Sequence, residues 1–333
     1  MRSSILMKLR YVTCLLTLVT ICGTLHAKTH SPLMFSPLND ESFAESITTL
    51  IHGEDESFTL VQAMLTNAGI GDEKGSCRVL HAPAKGKAIQ EINRDPSDWH
   101  YHAKTQTLQL STCTFTLKGS VLSIKANTDS INLQATIRNI KSPSTPPGGK
   151  VNLKDDSFVH AEIWVPSAPA SLMIQSDKSK RKINGFAYID HGRSTALLPD
   201  VAKEWLRIRA ISSNRPILLV IRTAPNGKRS GWLWVKDQSF RVLTQKELNS
   251  LVLQGSIQKG SDKQISIKIN LSNGPLEITS KIRRFRYEPV RDLGFMGKLA
   301  KKWIGDPITL TYNFSAQWNR EVLKGLIEWS IVR

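Results

Sequence analysis

A tyrosine, an aspartate and a histidine lie close together near the middle of the chain, as Tyr188, Asp190 and His191. An aspartate beside a histidine can bring the imidazole pKa near neutral, and either group can then transfer a proton, for example to an alkene. Successive side chains of a strand point to opposite faces, so Tyr188 and Asp190 share one face and His191 points the other way. The three residues are candidate catalytic residues. The alternative is that Asp190 and His191 make structural hydrogen bonds across a domain junction.

Two pairs of aromatic residues are candidate ligand-binding residues. Trp99 with Tyr101 and Trp232 with Trp234 are each spaced by two, so each pair shares a strand face. An aromatic face directed into a barrel would bind a large apolar molecule such as a lipid or an isoprenoid. The alternative for both pairs is ordinary core packing.

No cofactor or metal site is predicted. His100 and His102 share a strand face, but no third ligand stands at a spacing typical of metal sites. The sequence also contains no nucleophile elbow, no phosphate-binding glycine loop and no H-E-x-x-H motif. These absences argue against hydrolase, kinase and zinc-protease functions.

The pattern that must position these residues is an alternation of apolar and polar residues, typical of half-buried strands. One such strand covers residues 58–65, and Asn226-Gly227 between apolar runs 217–223 and 231–235 predicts a hairpin. Only residues 199–205 and 293–304 suggest helices. The sequence therefore predicts an all-β fold of antiparallel strands with few short helices.

Breaks in this pattern divide the chain into two halves. A proline-rich and glycine-rich stretch at residues 142–149 and a charged one at 177–182 place a domain boundary near residue 176. The predicted domains are residues 46–175 and 176–333. Each is long enough for an antiparallel barrel of about eight strands with room for one small ligand.

The N-terminus has the three parts of a secretory signal. Arg2, Lys8 and Arg10 precede or flank an apolar stretch at residues 11–23, and Ala27 is a small residue at the cleavage site. We predict a signal peptide at residues 1–27, a leader at 28–45, and a periplasmic or secreted protein. Cys77 and Cys113 would remain in the mature chain, either as a disulfide or as two buried thiols.

The chain is strongly basic, with a formal charge of +17. Removing the three basic residues of the signal leaves about +14, a charge suited to an anionic membrane surface. Residues 281–302 combine basic and apolar side chains and are a candidate membrane-binding patch, the alternative being a helix packed on the barrel. No nucleic-acid partner is expected for an exported protein.

The residues GFAYIDH at positions 185–191 resemble the G-x-A/G-Y-x-D-H motif of the two-domain lipocalin-like superfamily. That superfamily includes carotenoid 1,2-hydratases, fungal pericyclases and survival-factor proteins linked to oxidative stress. Other features follow in matching order: residues 58–67, then Gly69 and Gly71, then Trp99 and Tyr101, and the final strand at 325–329. The next residues, GRST at 192–195, depart from the Asn and Gly of many members and are closer to the survival-factor branch. The resemblance implies two lipocalin-like barrels packed together with an apolar cavity.

These observations favour an exported lipocalin-like protein that binds or shuttles a lipid or isoprenoid, in oxidative-stress protection. One alternative is a cofactor-free hydratase, cyclase or isomerase acting on an apolar, polyene-like substrate. In that enzyme Asp190 or His191 would be the acid and Tyr188 would orient the substrate. A second alternative is a protein whose basic face docks on a membrane or an envelope partner.

Overall fold

The computed structural model describes residues 31–67, 73–93, 99–153, 155–176, 179–212, 214–291, 301 and 305–333. The chain forms two compact units, Met1–Ser31 and Pro32–Arg333, and every element below belongs to the second. The predicted signal peptide lies outside the described residues, as does nearly all of the predicted helix at 293–304. Within the described residues, no helix is both long enough and apolar enough to cross a membrane.

The first half of the second unit forms one antiparallel sheet. Its strands are β1 (Ala44–Gly53), β2 (Phe58–Thr66), β3 (Lys74–Ala82), β4 (Ile89–Asn93), β5 (Trp99–His102), β6 (Thr107–Leu110), β7 (Cys113–Lys118), β8 (Val121–Asn127), β9 (Asn132–Arg138), β10 (Lys150–Asn152), β11 (Phe158–Ser176) and β12 (Ser179–Ser194). They are ordered β4-β3-β2-β1-β12-β11-β9-β8-β7-β6-β5, and β10 pairs with β11.

The second half forms two sheets and two short helices. The larger sheet, ordered β16-β15-β14-β13-β22-β21-β20, contains β13 (Glu204–Ala210), β14 (Ile217–Thr223), β15 (Arg229–Val235), β16 (Arg241–Val242), β20 (Arg283–Tyr287), β21 (Pro307–Trp318) and β22 (Glu321–Val332). The smaller sheet contains β17 (Val252–Gly255), β18 (Ile265–Leu271) and β19 (Gly274–Ser280). The helices are α1 (Leu198–Val201) and α2 (Gln245–Asn249).

The predicted all-β, antiparallel character is confirmed. The hairpin around Asn226-Gly227 forms between β14 and β15, and the strand predicted at residues 58–65 is β2. The helix predicted at 199–205 is shorter than expected, because β13 begins at Glu204 and leaves α1 a single turn.

The two large sheets share one arrangement of strands. The order β4-β3-β2-β1-β12-β11 in the first sheet corresponds to β16-β15-β14-β13-β22-β21 in the second. The first sheet ends at Ser194 and the second begins at Glu204. The predicted boundary near residue 176 instead falls between β11 and β12, which pair with each other within the first sheet. The segment that separates the two sheets is therefore residues 195–203.

The first sheet curls until its two ends meet. Strand β3, near one edge, contacts β6, near the other edge. Cys77 of β3 and Cys113 of β7 form a disulfide across this junction, with their Cα atoms 6.0 Å apart. The disulfide, one of the two alternatives for these cysteines, therefore covalently joins the two ends of the curled sheet.

The described part of the predicted leader packs into the first core. Leu33 and Phe43 are fully buried and Phe35 is 1% exposed, all within the hydrophobic cluster that fills the curled sheet. Phe35 lies beside Trp99, with ring centroids 6.2 Å apart. The interior of the first half is thus filled by its own aromatic and aliphatic side chains.

A glycine at the start of the GFAYIDH segment allows two strands to approach closely. A Cβ atom on Gly185 would lie far inside van der Waals contact with the carbonyl oxygen of His52 and 2.9 Å from the Cα atom of Gly53. The equivalent strand of the second half, β22, carries Gly325, where a Cβ would meet the backbone of Arg209 and Ala210. The same close approach is thus repeated in both halves.

Replacement of Gly185 by Ala should destabilise the protein by about 3 kcal/mol, because the backbone has to move to admit the methyl group. Urea unfolding followed by tryptophan fluorescence measures this change. The matched control on the same strand is Gly192→Ala, since a Cβ there meets nothing closer than the Ser46 hydroxyl at 3.8 Å. Equal stability of the two variants would contradict the close approach of β1 and β12 at Gly185.

Candidate functional site

A cavity of about 700 Å³ lies between the two large sheets. This volume is within the range of small-molecule sites in proteins. One wall comes from β1, β2, β3 and β12 of the first sheet, and the other from β13, β14, β15, β21 and β22 of the second. The cavity is therefore built by the packing of the two halves and not by the interior of either one.

Part of the cavity lining is apolar, and we call this part the floor. The floor belongs to a hydrophobic cluster shared by both sheets, and the members that also line the cavity are Leu50, Phe58, Leu80, Tyr188, Trp232 and Leu326. These six residues stand on six different strands. Successive side chains of a strand point to opposite faces, so each strand can direct one face toward the cavity. A ligand entering the cavity would bury apolar surface against this floor.

Polar and charged side chains from both sheets lie beside this floor and form a polar belt, which we define as Tyr188, Asp190, Arg207, Arg209 and Glu328; Tyr188 belongs to both. All five line the cavity. Arg207 of β13 is the register partner of Glu328 on β22, and its Nη1 donates to Glu328 Oε1 at 2.6 Å. Arg209, two residues further on the same face, donates from Nη1 to Glu328 Oε2 at 3.2 Å. One carboxylate therefore binds two guanidinium groups.

Tyr188 and Asp190 face this arginine pair from the first sheet. The guanidinium carbon of Arg209 lies 4.8 Å from the centre of the Tyr188 ring. Asp190 stands two residues further along β12, on the same face, and the Tyr188 hydroxyl lowers the pKa of its carboxyl group. The alternation of β12 continues this face through Gly192 and Ser194, which line the cavity as well.

The environment of the polar belt shifts the pKa values of its two carboxyl groups in opposite directions. Burial raises the pKa of Asp190 and outweighs the opposing effects of Arg209, Tyr188 and Arg207. Burial would also raise the pKa of Glu328, but the charges of Arg209 and Arg207 lower it to about 2. Two carboxyl groups in one cavity with pKa values moved apart are typical of acid–base catalysis.

Tyr188 is held in its neutral form. Burial raises the pKa of its hydroxyl well above 10, and the nearby charge of Asp190 acts in the same direction. The side chain is 4% exposed. Tyr188 can therefore donate a hydrogen bond in this site but does not serve as a base.

His191 lies on the opposite face of β12, as the alternation predicted, and does not line the cavity. Its Nε2 is 2.8 Å from Oε1 of Glu45, whose side chain is 1% exposed. Its ring packs edge-on against Trp164 with centroids 5.7 Å apart. The structure thus brings Tyr188 and Asp190 together in the cavity and places His191 in the core of the first half.

The predicted aromatic residues divide between the cavity and the core. Trp232 lines the cavity, and Trp234 packs beside it with Phe240 between them, at centroid distances of 5.2 and 6.4 Å. Trp99 and Tyr101 instead pack against the core of the first half. Periodicity identified which aromatic residues share a face, but the same period describes a face directed into a core and one directed into a cavity.

Three further arginines line the cavity, namely Arg78, Arg193 and Arg222. These residues, with Arg207, Arg209 and Glu328, were not identified from the sequence. The available signal was the pair of arginines at alternate positions of an otherwise apolar stretch, residues 205–210. A charged residue on the buried face of a strand suggests a polar site, but its partners lie far away in the sequence.

The basic stretch at residues 281–302 is only partly described. Arg283 and Arg286 both form ion pairs with Asp262, a residue with no exposed surface. Arg284 donates to the backbone carbonyl groups of Pro83 and Ala84. These arginines therefore make contacts within the protein, and a membrane-binding role of the stretch stays a prediction.

The described residues contain no group of three or more His, Cys, Asp or Glu side chains arranged to hold a metal ion. The polar belt could hold a charged or hydrogen-bonding organic group. Arginine guanidinium groups match the geometry of carboxylates, and Asp190 would be a proton donor in its protonated form.

No protein-family model matches the chain, and no curated protein sequence matches it. Three solved structures are similar over most of their length. A protein provisionally assigned as AttH from Nitrosomonas europaea has 11% identity and a TM-score of 0.63, covering 93% of this chain and 99% of its own. CghA has 9% identity and a TM-score of 0.59, covering 91% and 95%. Kievitone hydratase from Nectria haematococca has 13% identity and a TM-score of 0.56, covering 92% and 94%.

At these identities the similarities show the fold alone. That fold is lipocalin-like, with two antiparallel β-barrel halves packed together. The expected fold class is therefore confirmed. The closer relation to the survival-factor branch remains a prediction.

Proposed function

We propose that this protein is a cofactor-free enzyme of the hydratase, cyclase or isomerase kind. It acts on an apolar molecule bound in the cavity between the sheets, with Asp190 as the acid and Tyr188 as the residue that orients it. The observation that carries the proposal is the separation of the pKa values of two carboxyl groups that line one cavity: burial raises the pKa of Asp190, and Arg209 and Arg207 lower that of Glu328 to about 2. The hydratase among the similar structures supports the same reaction class.

The reaction begins with transfer of the Asp190 proton to one carbon of a substrate double bond. The π electrons form the new C–H bond and leave a cation on the other carbon. Water then adds to this cation, or a neighbouring C–H bond loses its proton. In either case the Asp190 carboxylate takes up the released proton and returns to its starting form.

The arginines and Glu328 together influence the protonation of Asp190. The charge of Arg209 favours the ionised form of Asp190, whereas the negative charge of Glu328, which binds Arg209 and Arg207, opposes it. Glu328 therefore protects the protonated state of Asp190 in a site from which water is partly excluded. The apolar floor keeps the substrate in place and limits side reactions of the cation.

A carrier of a lipid or isoprenoid, the function favoured from the sequence, remains the second candidate. The apolar floor and the volume of the cavity support binding of such a molecule. A pure carrier, however, has no use for a protonated carboxyl group at the centre of its cavity. Burial of such a polar group costs free energy that a fully apolar lining would avoid.

The test is incubation of the protein in D2O with an apolar extract of its own source cells, followed by mass spectrometry. The enzyme should produce a compound that carries deuterium on carbon, because the transferred proton comes from Asp190 and exchanges with solvent. Gly192→Leu should prevent this, since its side chain would enter the open cavity. Recovery of one bound compound in unchanged form would instead support the carrier.

Export to the periplasm or out of the cell is part of the proposal. The Cys77–Cys113 disulfide supports it, because structural disulfides persist in oxidising compartments. A role in oxidative-stress protection is proposed on the sequence resemblance alone.

A further inference from the structure

The cavity has an excess of positive charge. Its lining contains five arginines and only two carboxyl groups, and the carboxyl groups are Asp190 and Glu328. Outside the lining, Glu45 lies 3.4 Å from Arg193 and balances it. The remaining four arginines therefore face at most two negative charges, and only one when Asp190 is protonated.

Three of these arginines act on the same carboxylate. Arg207 and Arg209 bind Glu328 directly, and the charge of Arg78 also acts on it from β3 of the opposite sheet. We call Arg78, Arg207 and Arg209 the arginine cluster. Since one carboxylate balances one charge, the cluster keeps a net charge of about two when Asp190 is protonated.

Arg78 is the member with no carboxylate of its own. Its Nε donates to Gln90 Oε1 at 2.9 Å, and its guanidinium carbon lies 3.8 Å from the centre of the Tyr287 ring. No ion pair of Arg78 occurs within the part of the chain that the structure describes. The planar stacking and single hydrogen bond hold this guanidinium at the cavity wall while leaving other N–H groups for a ligand.

Arg209 also has an unused donor. Its Nε is buried and has no hydrogen-bond partner in the structure, although its Nη1 binds Glu328. A buried guanidinium is costly unless each N–H group is satisfied. An anionic ligand beside Arg209 would supply the missing negative charge.

We propose that the ligand of this cavity is an amphipathic acid. Its anionic group, a carboxylate or a group of similar chemistry, binds at the arginine cluster through Arg78 and Arg209. Its apolar body lies against the floor formed by Leu50, Phe58 and Trp232. The inference rests on the proposed function only in that both concern the same cavity, and it names the class of molecule that enters it.

The test compares matched acidic and neutral fluorescent probes at neutral pH. The linear pair is cis-parinaric acid and its methyl ester, and the compact pair is 1-anilinonaphthalene-8-sulfonate and N-phenyl-1-naphthylamine. In at least one pair the acid should bind about tenfold more tightly than its neutral counterpart or better, since hydrogen bonds to charged groups are strong. The inference is overturned if neither acid is preferred, whether or not the probes bind.

Amino-acid substitutions test whether the preference for the acidic probe arises in the cavity. Arg78→Gln should weaken the acid about tenfold and leave the neutral probe unchanged, and Arg78→Lys should restore part of the loss because it keeps the charge. Arg138→Gln, at an exposed position of β9, should change neither affinity. Equal weakening of both probes by Arg78→Gln would indicate lost packing and would overturn the inference.

The probe-binding and deuterium-transfer experiments distinguish a failure of the proposed ligand class from a failure of the proposed enzyme. Preference for the acid without deuterium transfer would retain the ligand class and support a carrier. Deuterium transfer to a neutral compound, without any preference for an acid, would retain the enzyme and overturn the inference.

Discussion

Replacement of Asp190 by Asn should lower kcat/KM by about 10²–10⁴-fold, the contribution typical of a positioned general acid. The amide keeps the size of the side chain, but it has no transferable acidic proton. The measurement is the rate of deuterium transfer to the substrate, together with the melting temperature of each variant.

The matched control is Asp237→Asn, which makes the same chemical change on an exposed turn. It should leave the rate unchanged. A stable Asp190→Asn variant with full activity would remove Asp190 from the mechanism. A large fall in melting temperature with no activity to lose would identify Asp190 as a structural residue of the junction between the halves.

The pH profile provides an independent test of the same assignment. The active form is the one in which Asp190 is protonated, so kcat/KM should be constant at low pH and fall as the pH rises through the pKa of Asp190. Burial raises that pKa, and Tyr188, Arg207, Arg209 and Glu328 are the other titratable groups that act on it. An activity that rises with pH over the same range would indicate that Asp190 acts as a base.

Removal of the Cys77–Cys113 disulfide should destabilise the protein by about 4 kcal/mol, the loop-entropy value for a sequence separation of 36 residues. The disulfide closes a loop of 36 residues, which restricts the unfolded chain. Unfolding in urea with and without a reducing agent measures the effect.

The double variant Cys77→Ala with Cys113→Ala is the control for reduction itself. Its stability should be as low as that of the reduced wild type and should not change with the reducing agent. If the oxidised and reduced wild type unfold at the same urea concentration, the bond contributes nothing to closing the first half.

The sequence by itself determined the local structure and part of the site. Alternation with a period of two identified the strands, and Asn226-Gly227 identified the hairpin between β14 and β15, because both signals depend only on neighbouring residues. The same alternation placed Tyr188 and Asp190 on one face and His191 on the other, as the structure shows.

Only the tertiary structure decided what each face meets. Asp190 on β12 lines one cavity with Arg209 on β13 and Glu328 on β22 because two sheets pack face to face, and no local pattern relates positions so far apart in the sequence. Trp99 and Trp232 stand in segments with the same alternation, but Trp99 packs against a core and Trp232 lines the cavity. The protonation state of Asp190 also depends on this packing, because it follows from burial and from charges on another sheet.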